Sequence, residues 1–258
     1  MTGEDVLLVL AHQDDEIGML TRIAYERARG ARVWCAYLTD GASAAEAAVR
    51  DAESLAVLAR LGVAPEQVAF LADPVRIRDK QLAEHAHDAL AALRRWAARI
   101  ERIARVYTVD WEGGHHDHDA AHVVALAYAR ERGIADVFAF PLYNGYRRRA
   151  GWFRVSSFVP GGGEIVRRPL SLADALLPIR AIPAYPSQRS TWLGLGPGML
   201  VRALWRREER MRRADPRRVL ARPHPGPLLY ETRFRVPHQR VMDATAALRE
   251  AVAAVRTS

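Results

Sequence analysis

The segment Val6-Leu-Leu-Val-Leu-Ala-His12-Gln-Asp14-Asp15-Glu16-Ile-Gly18 joins six apolar residues to one imidazole and three carboxylates. An apolar run without alternation is typical of a central strand that is covered on both faces. The apolar pattern then resumes, which predicts a strand, a short polar turn and a helix. In open α/β sheets, reactive groups lie just beyond the carboxyl ends of strands. The four polar side chains of this segment fall at that position.

Two interpretations of this polar turn compete. Crowded carboxylates repel one another unless a cation neutralises them, and His12 and Asp15, three residues apart, can face one divalent ion. Alternatively, the acidic residues complement the dipole of a helix N-terminus, and Asp14 or Asp15 caps it. The second interpretation leaves His12 unexplained, so we favour a metal site.

Composition limits the classes of protein that the chain can represent. The 258 residues, half of them hydrophobic, are enough for one large α/β core. The formal net charge is +8, and Lys80 is the single lysine, so arginine supplies the basic character. No interleaved aromatic and basic motif is present, and we therefore predict no nucleic-acid partner. The single cysteine, Cys35, excludes a disulfide within the chain.

The N-terminal sequence indicates where the protein works. Residues 1–5 are acidic and lack the basic region of a secretory signal, and the apolar run that follows is too short to cross a bilayer. We predict a cytoplasmic protein without a membrane span.

Strand and helix patterns alternate through the first 141 residues. We predict strands at residues 6–11, 32–38, 68–71, 105–109 and 134–140, separated by helices. This order predicts a doubly wound, mostly parallel sheet with right-handed crossovers.

The pattern changes after residue 141. There we predict a β-hairpin from residues 152–158 and 164–168, a loop at 194–198, a basic helix at 200–213 with a solvated face, a strand at 230–236 and a closing helix at 241–255. We expect a single domain over residues 1–258, with a core of about 4–141 and a substrate-shaping α+β elaboration of about 142–258.

A second polar cluster, Asp110-Trp-Glu-Gly-Gly-His115-His116-Asp-His118-Asp119, follows the fourth predicted strand. Chance histidines in a polar loop are the alternative explanation, but three histidines in four residues are unusual. If the first and fourth strands end side by side, His12, Asp15 and His118 provide two imidazoles and one carboxylate. That set suits Zn²⁺ with an open fourth position, as in catalytic sites.

These residue types predict metal-assisted hydrolysis of an amide or ester. Zinc lowers the pKa of a bound water and polarises a neighbouring carbonyl. Asp14, next to the ligands in sequence, is the natural general base for that water. His115 either stabilises the tetrahedral oxyanion or protonates the leaving amine.

The two motifs resemble those of a known family. Ala-His12-Gln-Asp14-Asp15-Glu16 is similar to the Ala-His-Pro-Asp-Asp-Glu signature of the PIG-L/LmbE-like zinc-dependent N-deacetylases, and the cluster at residues 112–119 is similar to their His-Pro-Asp-His signature. Tyr185-Pro-Ser-Gln188 resembles a weaker downstream element. The resemblance covers roughly residues 4–190. It implies a Rossmann-like fold and removal of N-acetyl groups from glucosamine-containing substrates, or cleavage of related amides.

Site roles follow from the resemblance, position by position. It implies zinc ligation by His12, Asp15 and His118, and it gives Asp14 the role of base and His115 that of oxyanion donor. Arg50 and Gln188 are the implied substrate residues.

The chain departs from the family pattern at two positions. Gln13 and His116 replace the usual prolines, which removes rigidity from both turns. His116 also leaves the choice of ligand within the cluster ambiguous. His122 has no counterpart in the signature, and we assign it to helix packing.

We therefore predict a zinc-dependent N-deacetylase that acts on an amino sugar or its conjugate. Fe²⁺ or Co²⁺ also suits imidazole and carboxylate ligands. One alternative is an amidase for a larger thiol- or peptide-type conjugate, and another is a sugar-binding protein that has lost turnover. A nucleotide-binding domain ranks last, because no Gly-x-Gly-x-x-Gly follows the first strand. The sugar, the acyl group and the oligomeric state stay open.

Overall fold

A seven-stranded sheet forms the centre of the computed structural model, which describes residues 3–41, 44–72, 76–148 and 153–254. The strands are β1 (Asp5–Leu10), β2 (Arg32–Tyr37), β3 (Val68–Phe70), β4 (Ile103–Val109), β5 (Val137–Phe140), β6 (Tyr143–Asn144), β7 (Arg154–Val155), β8 (Ile165–Pro169) and β9 (Glu208–Arg213). The short strands β6 and β7 pair with each other in a separate ribbon.

The strand order of the main sheet is β3-β2-β1-β4-β5-β9-β8. Strands β1 to β5 run parallel, whereas β9 lies antiparallel to β5, and β8 lies antiparallel to β9. All six residues of β1 are buried, because this strand lies between β2 and β4 and is covered on both faces. The predicted α/β fold with a mostly parallel sheet is confirmed.

Ten α-helices in the described residues flank or extend the sheet. They are α1 (Leu20–Ala28), α2 (Ala44–Arg60), α3 (Ala86–Ala97), α4 (His116–Glu131), α5 (Leu172–Ala175), α6 (Leu177–Ala181), α7 (Arg189–Arg206), α8 (Leu229–Arg233), α9 (His238–Ala244) and α10 (Ala246–Ala253). Helix α4 packs against β4, α3 and α10, and residues 116–129 of it are buried. Its many alanine and valine side chains permit this close packing on several sides.

The sheet changes winding direction between β1 and β4. The chain leaves β1 toward β2 and leaves β4 toward β5, on the opposite side, although β1 and β4 are hydrogen-bonded neighbours. The carboxyl ends of two such strands border an open crevice, which is the usual position of a site in this class of fold. Both polar motifs of the sequence lie there.

The region after residue 141 contributes two strands to the main sheet. The predicted hairpin is wrong: β7 pairs with β6, and β8 pairs with β9 at the sheet edge. Trp152, where its first strand was predicted to begin, lies outside the described residues. Long-range pairing with β9 replaces the local pairing that the glycine-rich sequence at 160–163 suggested.

Three further predictions for this region are wrong. The helix predicted at 200–213 spans two elements. Its first part is the end of α7, which stops at Arg207 in a left-handed conformation (φ 38°), and its second part is strand β9. Residues 194–198 lie inside α7 despite Pro197, because the helix packs against α5 and α6. Residues 229–233 form helix α8 rather than a strand. In each case tertiary packing overrides a local preference.

Among the residues that the structure describes, no helix combines the length and the apolar character that a bilayer span requires.

A buried ion pair connects β9 to the segment that follows β4 in the parallel part of the sheet. Arg212 Nη1 on β9 lies 3.1 Å from Asp110 Oδ2 just after β4, and Nη2 donates to the carbonyl of Val159 at 2.6 Å. Both charged side chains are almost fully buried. Removing one partner of such a pair leaves an uncompensated charge in the interior.

We predict that Arg212→Ala lowers the free energy of unfolding by about 3–5 kcal/mol. The matched control is Arg213→Ala on the same strand, whose ion pair with Asp136 is about half exposed and should cost less than about 1 kcal/mol. Urea unfolding monitored by circular dichroism checks both values. Equal losses for the two variants would contradict the structural role of Arg212.

Candidate metal centre

The turn after β1 holds Asp14 and Asp15 in fixed positions. Asp14 takes a left-handed conformation with φ 96°, which aspartate tolerates better than most residues. Asp15 Oδ2 accepts hydrogen bonds from the backbone N–H groups of Ala11 and His12, at 3.1 and 2.8 Å. The Asp15 carboxylate therefore closes the turn, while its other oxygen stays available.

The second turn, after β4, starts helix α4. His115 is the N-cap residue of α4, and its Nδ1 accepts the N–H of Asp117 at 3.2 Å. Gly114 is required because a Cβ at this position would lie 1.9 Å from the carbonyl oxygen of Tyr143. Asp119 Oδ1 accepts the N–H groups of Glu112 and Gly113, each at 3.2 Å.

The two turns bring together His12, Asp15 and His118. Their ligand atoms all lie within 4.8 Å of one another, and all three side chains are buried. His118 Nε2 is 3.1 Å from Asp15 Oδ1, and His12 Nδ1 is 3.7 Å from Asp15 Oδ2. The structure thus gathers the three residues that the sequence analysis predicted as metal ligands, and their role stays a prediction.

Two carboxylates that the prediction missed lie on the other side of His12. Its Nε2 is 3.1 Å from Asp117 Oδ2 and 3.3 Å from Asp79 Oδ1. Asp117 also accepts the N–H groups of Lys80 and Leu82, so it ties the loop before α3 to the centre. Asp117 was visible inside the second motif, whereas no pattern around Asp79 distinguishes it from a surface residue.

The carboxylates around His12 and His118 favour a positive charge at the centre of the cluster. Burial lowers the pKa of His12, but hydrogen bonds to Asp117 and Asp79 outweigh it and raise this pKa to about 10. Burial opposes ionisation of Asp15, yet His118 and His12 lower its pKa to about 2. A divalent ion would supply positive charge in place of the extra imidazole proton, and the nitrogen and oxygen donors match the ligands of zinc. The residues present therefore fit such an ion.

Asp14 lies beside the cluster and is held from two directions. Arg50 Nη2 is 3.3 Å from Asp14 Oδ1, and Glu16 Oε2 accepts the N–H of Asp14 at 2.9 Å. Burial raises the pKa of Asp14 to about 8, and Arg50 counteracts part of that rise. Arg50 also donates to the carbonyls of Gly41 and Gln13, so both terminal nitrogens of its guanidinium are engaged.

The element at residues 185–188 docks onto the first motif. The Tyr185 hydroxyl donates to Glu16 Oε1 at 2.9 Å, and Ser187 donates through both its N–H and its hydroxyl to Glu53. Gln188 follows and lines the cavity beside the cluster. Glu16 thus joins the downstream element to the turn that carries Asp14, a link that sequence spacing did not reveal.

His116 and His122 lie outside the two groups of potential metal ligands found in the described residues. His116 stacks on His115 with ring centroids 4.7 Å apart, and its Nε2 faces the carbonyl of Lys80. His122 Nδ1 bonds to the carbonyl of Val109 at 2.7 Å, which agrees with a packing role.

A cavity of about 300 Å³ opens above the cluster. Its floor is polar and contains His12, Asp14, Asp15, His115 and His118, whereas its walls are largely apolar. The apolar side chains of the walls include Leu142, Tyr143, Phe153, Trp192, Leu195, Met199 and Phe234. A few convergent polar groups within an apolar pocket are typical of a small-molecule site.

Burial lowers the pKa of His115 well below its usual value, and the neighbouring imidazoles lower it further. The ring is therefore neutral. Since Nδ1 accepts the Asp117 N–H, the proton of the neutral ring belongs on Nε2, which lies 3.6 Å from Asp79 Oδ1.

Comparison with known proteins confirms the family resemblance. Residues 7–129 match the sequence model of the PIG-L family, described as GlcNAc-PI de-N-acetylase. The matched region contains both polar motifs and ends before the strands β5 to β9. No curated protein sequence is significantly similar to the chain.

Solved structures with the same fold include several deacetylases. The deacetylase of teicoplanin biosynthesis in complex with bog is 18% identical, with a TM-score of 0.60, over 82% of this chain and 99% of that one. The zinc-inhibited form of teicoplanin deacetylase Orf2 is 18% identical, with a TM-score of 0.58, over 77% and 90%. N,N'-diacetylchitobiose deacetylase from Pyrococcus horikoshii is 20% identical, with a TM-score of 0.53, over 81% and 83%. At these identities the similarity establishes the fold.

We predict that chelator-treated protein binds one equivalent of Co²⁺ and that His118→Ala weakens this binding at least about 10-fold, because one of three donors is lost. The control is His87→Ala, an exposed residue of α3, which should bind Co²⁺ like the unmodified protein. Visible absorption of the Co²⁺ complex and isothermal titration calorimetry measure both. Unchanged affinity in the His118 variant would show that the ion binds elsewhere.

Proposed function

We propose that this PIG-L-like chain is a divalent-metal-dependent hydrolase that removes an N-acetyl or other N-acyl group from an amino sugar or its conjugate. The observation that carries the proposal is the convergence of His12, Asp15 and His118 at the floor of the cavity, with Asp14 beside them. The deacetylases among the structural neighbours support the reaction class.

His12, Asp15 and His118 are the proposed ligands, and Zn²⁺ is the proposed ion, with Fe²⁺ or Co²⁺ as alternatives. When bound, the ion would supply a Lewis acid that acidifies water and polarises the acyl carbonyl. Asp117 would orient His12 through Nε2, as carboxylates behind metal-bound imidazoles commonly do. The zinc-inhibited neighbour indicates that metal should be supplied at one equivalent rather than in excess.

Asp14 is the proposed general base. Its backbone N–H is fixed by Glu16 and its Oδ1 by Arg50, so the carboxylate keeps one orientation at the cavity floor. A base acts best when its pKa lies near the working pH, and burial moves the Asp14 pKa in that direction. In this role Asp14 takes a proton from the attacking water and later passes it to the leaving nitrogen.

His115 is the proposed donor to the tetrahedral oxyanion. A neutral ring with its proton on Nε2 can donate a hydrogen bond without carrying a charge that would repel the metal. The N-cap contact with Asp117 holds the ring in this orientation.

The walls of the cavity suit an acylated sugar. Tyr143, Trp192 and Phe234 offer flat apolar surfaces to a sugar ring or an acyl group. Glu112 fixes this wall, because its carboxylate accepts the N–H groups of Leu142 and Tyr143. We propose that Gln188 contacts the substrate and that Arg50 chiefly positions Asp14, since its guanidinium already binds three oxygens.

Three broader predictions accompany this function. We propose that residues 1–258 act as one domain, because β8 and β9 complete the sheet begun by the first 141 residues. We also propose that the partner is a small amino-sugar molecule rather than nucleic acid and that the protein works in the cytoplasm.

We predict that the protein loaded with one equivalent of metal releases acetate from N-acetylglucosamine conjugates. A coupled acetate assay, run beside thiol-conjugate amides of the same sugar, measures this. Cleavage of the conjugate amides without acetate release would favour the amidase alternative. Binding of the sugars without cleavage of either type of amide would favour the alternative of a sugar-binding protein that has lost turnover.

We predict that Asp14→Asn keeps the metal and lowers kcat by about 10²–10⁴-fold, because the amide cannot accept the proton of the attacking water. Asparagine is the appropriate substitution because it tolerates the left-handed backbone at this position. Metal content and kcat are measured on the same sample. If this variant turned over at the normal rate with full metal content, Asp14 would not be the base.

A further inference from the structure

Helix α7 has two apolar faces with different surroundings. The inner face, with Trp192, Leu195 and Met199, lines the cavity above the metal centre. The outer face points to solvent and is mainly apolar between Arg189 at its start and Arg206 at its end. An ordinary surface helix carries polar side chains on its outer side, so the outer face of α7 requires an explanation.

The outer face forms one continuous apolar stripe. The exposed fractions are 80% for Leu193, 39% for Leu200, 62% for Val201, 53% for Leu204 and 86% for Trp205. Their spacing of 7, 1, 3 and 1 residues places them on one side of a helix with 3.6 residues per turn, together with exposed Pro197. Contiguous exposed apolar residues of this kind mark an interaction surface, unlike single ones.

Arginine dominates the charge around this stripe, and Glu208 is the acidic residue that follows α7 after Arg207. Residues 176–207 contain five arginines and no aspartate or glutamate. Arg189 lies at the first turn of α7, and Arg206 and Arg207 lie at its end, all exposed. Burial lowers the pKa of Arg202 to about 10, and Arg210 and Arg206 lower it further, which reflects the surplus of positive charge.

We propose that the outer face of α7 docks on an anionic lipid bilayer. A helix that exposes an apolar stripe beside basic residues can lie in the plane of the interface, with the stripe at the boundary between headgroups and acyl chains. Trp205 suits the interfacial level, and the flanking arginines pair with lipid phosphates. The earlier expectation of a solvated basic helix at 200–213 did not anticipate this stripe, because it merged the end of α7 with strand β9.

A second copy of the chain fits this face less well than a bilayer does. Joining two such faces would bring the exposed Arg189, Arg206 and Arg207 of both copies together, and like charges oppose association. An anionic bilayer neutralises the arginines and covers the apolar residues at the same time. Docking also places the cavity wall about one helix diameter, roughly 10 Å, from the lipid.

Vesicle sedimentation of the 258-residue protein tests the proposal. We expect binding to vesicles of phosphatidylcholine with 30 mol% phosphatidylglycerol, on the order of 10-fold tighter than to phosphatidylcholine alone and weakened by salt. The double variant Leu204→Glu, Trp205→Glu should lose at least about 10-fold in affinity, and so should Arg189→Gln, Arg206→Gln. The matched control is Val166→Glu, an exposed apolar residue of β8 (39%), which should bind like the unmodified protein.

Other outcomes overturn the proposal. One is the absence of binding to anionic vesicles, and another is equal binding by the stripe variants, provided that thermal unfolding shows all variants folded. A third is a dimer that the Leu204, Trp205 double variant dissociates while no vesicle binding occurs, which would assign the face to a second copy. None of these outcomes depends on hydrolase activity, so they leave the proposed function to its own tests.

Discussion

The parallel pairing of β1 with β4 is the constraint on which the centre depends. It aligns the ends of two strands that are about a hundred residues apart in the chain, and the turn after each strand then projects into the same crevice. The contact between Asp15 and His118 is the direct result, at 3.1 Å. His12 and Asp15 come from the first turn and His118 from the second, so the three side chains meet only once the sheet has formed.

Buried carboxylates provide most of the framework around that contact. Glu16 binds the backbone of Asp14 and the hydroxyl of Tyr185, while Glu112 holds the cavity wall at residues 142–144. Burial raises the pKa of both glutamates, so each depends on its hydrogen-bond donors to remain stable in the interior. Each of these two buried carboxylates therefore links one motif to a later segment of the chain by hydrogen bonds.

The sequence was sufficient for the parallel half of the fold and for the three clustered residues. Strong apolar runs such as Val6–Ala11 indicate buried strands, and polar residues directly after them indicate a site at the sheet edge. Sequence alone did not find Asp79, because its importance comes from spatial proximity to His12 rather than from any local pattern. Sequence alone also mispredicted α7 and β9. Glycine and proline at 194–198 favour a loop, but packing against α5 and α6 makes this segment helical. The arginines that follow favour a helix, but pairing with β5 and β8 makes residues 208–213 a strand.

The left-handed backbone at Asp14 limits which substitutions this position tolerates. An alanine at this position would remove the carboxylate and also introduce a conformational penalty of about 1–2 kcal/mol. Alanine scanning would therefore mix loss of chemistry with relaxation of the whole turn, including the neighbouring Asp15. Glycine and asparagine are the replacements with the lowest backbone cost, so drift in an inactive descendant would be expected to pass through one of these two residues first.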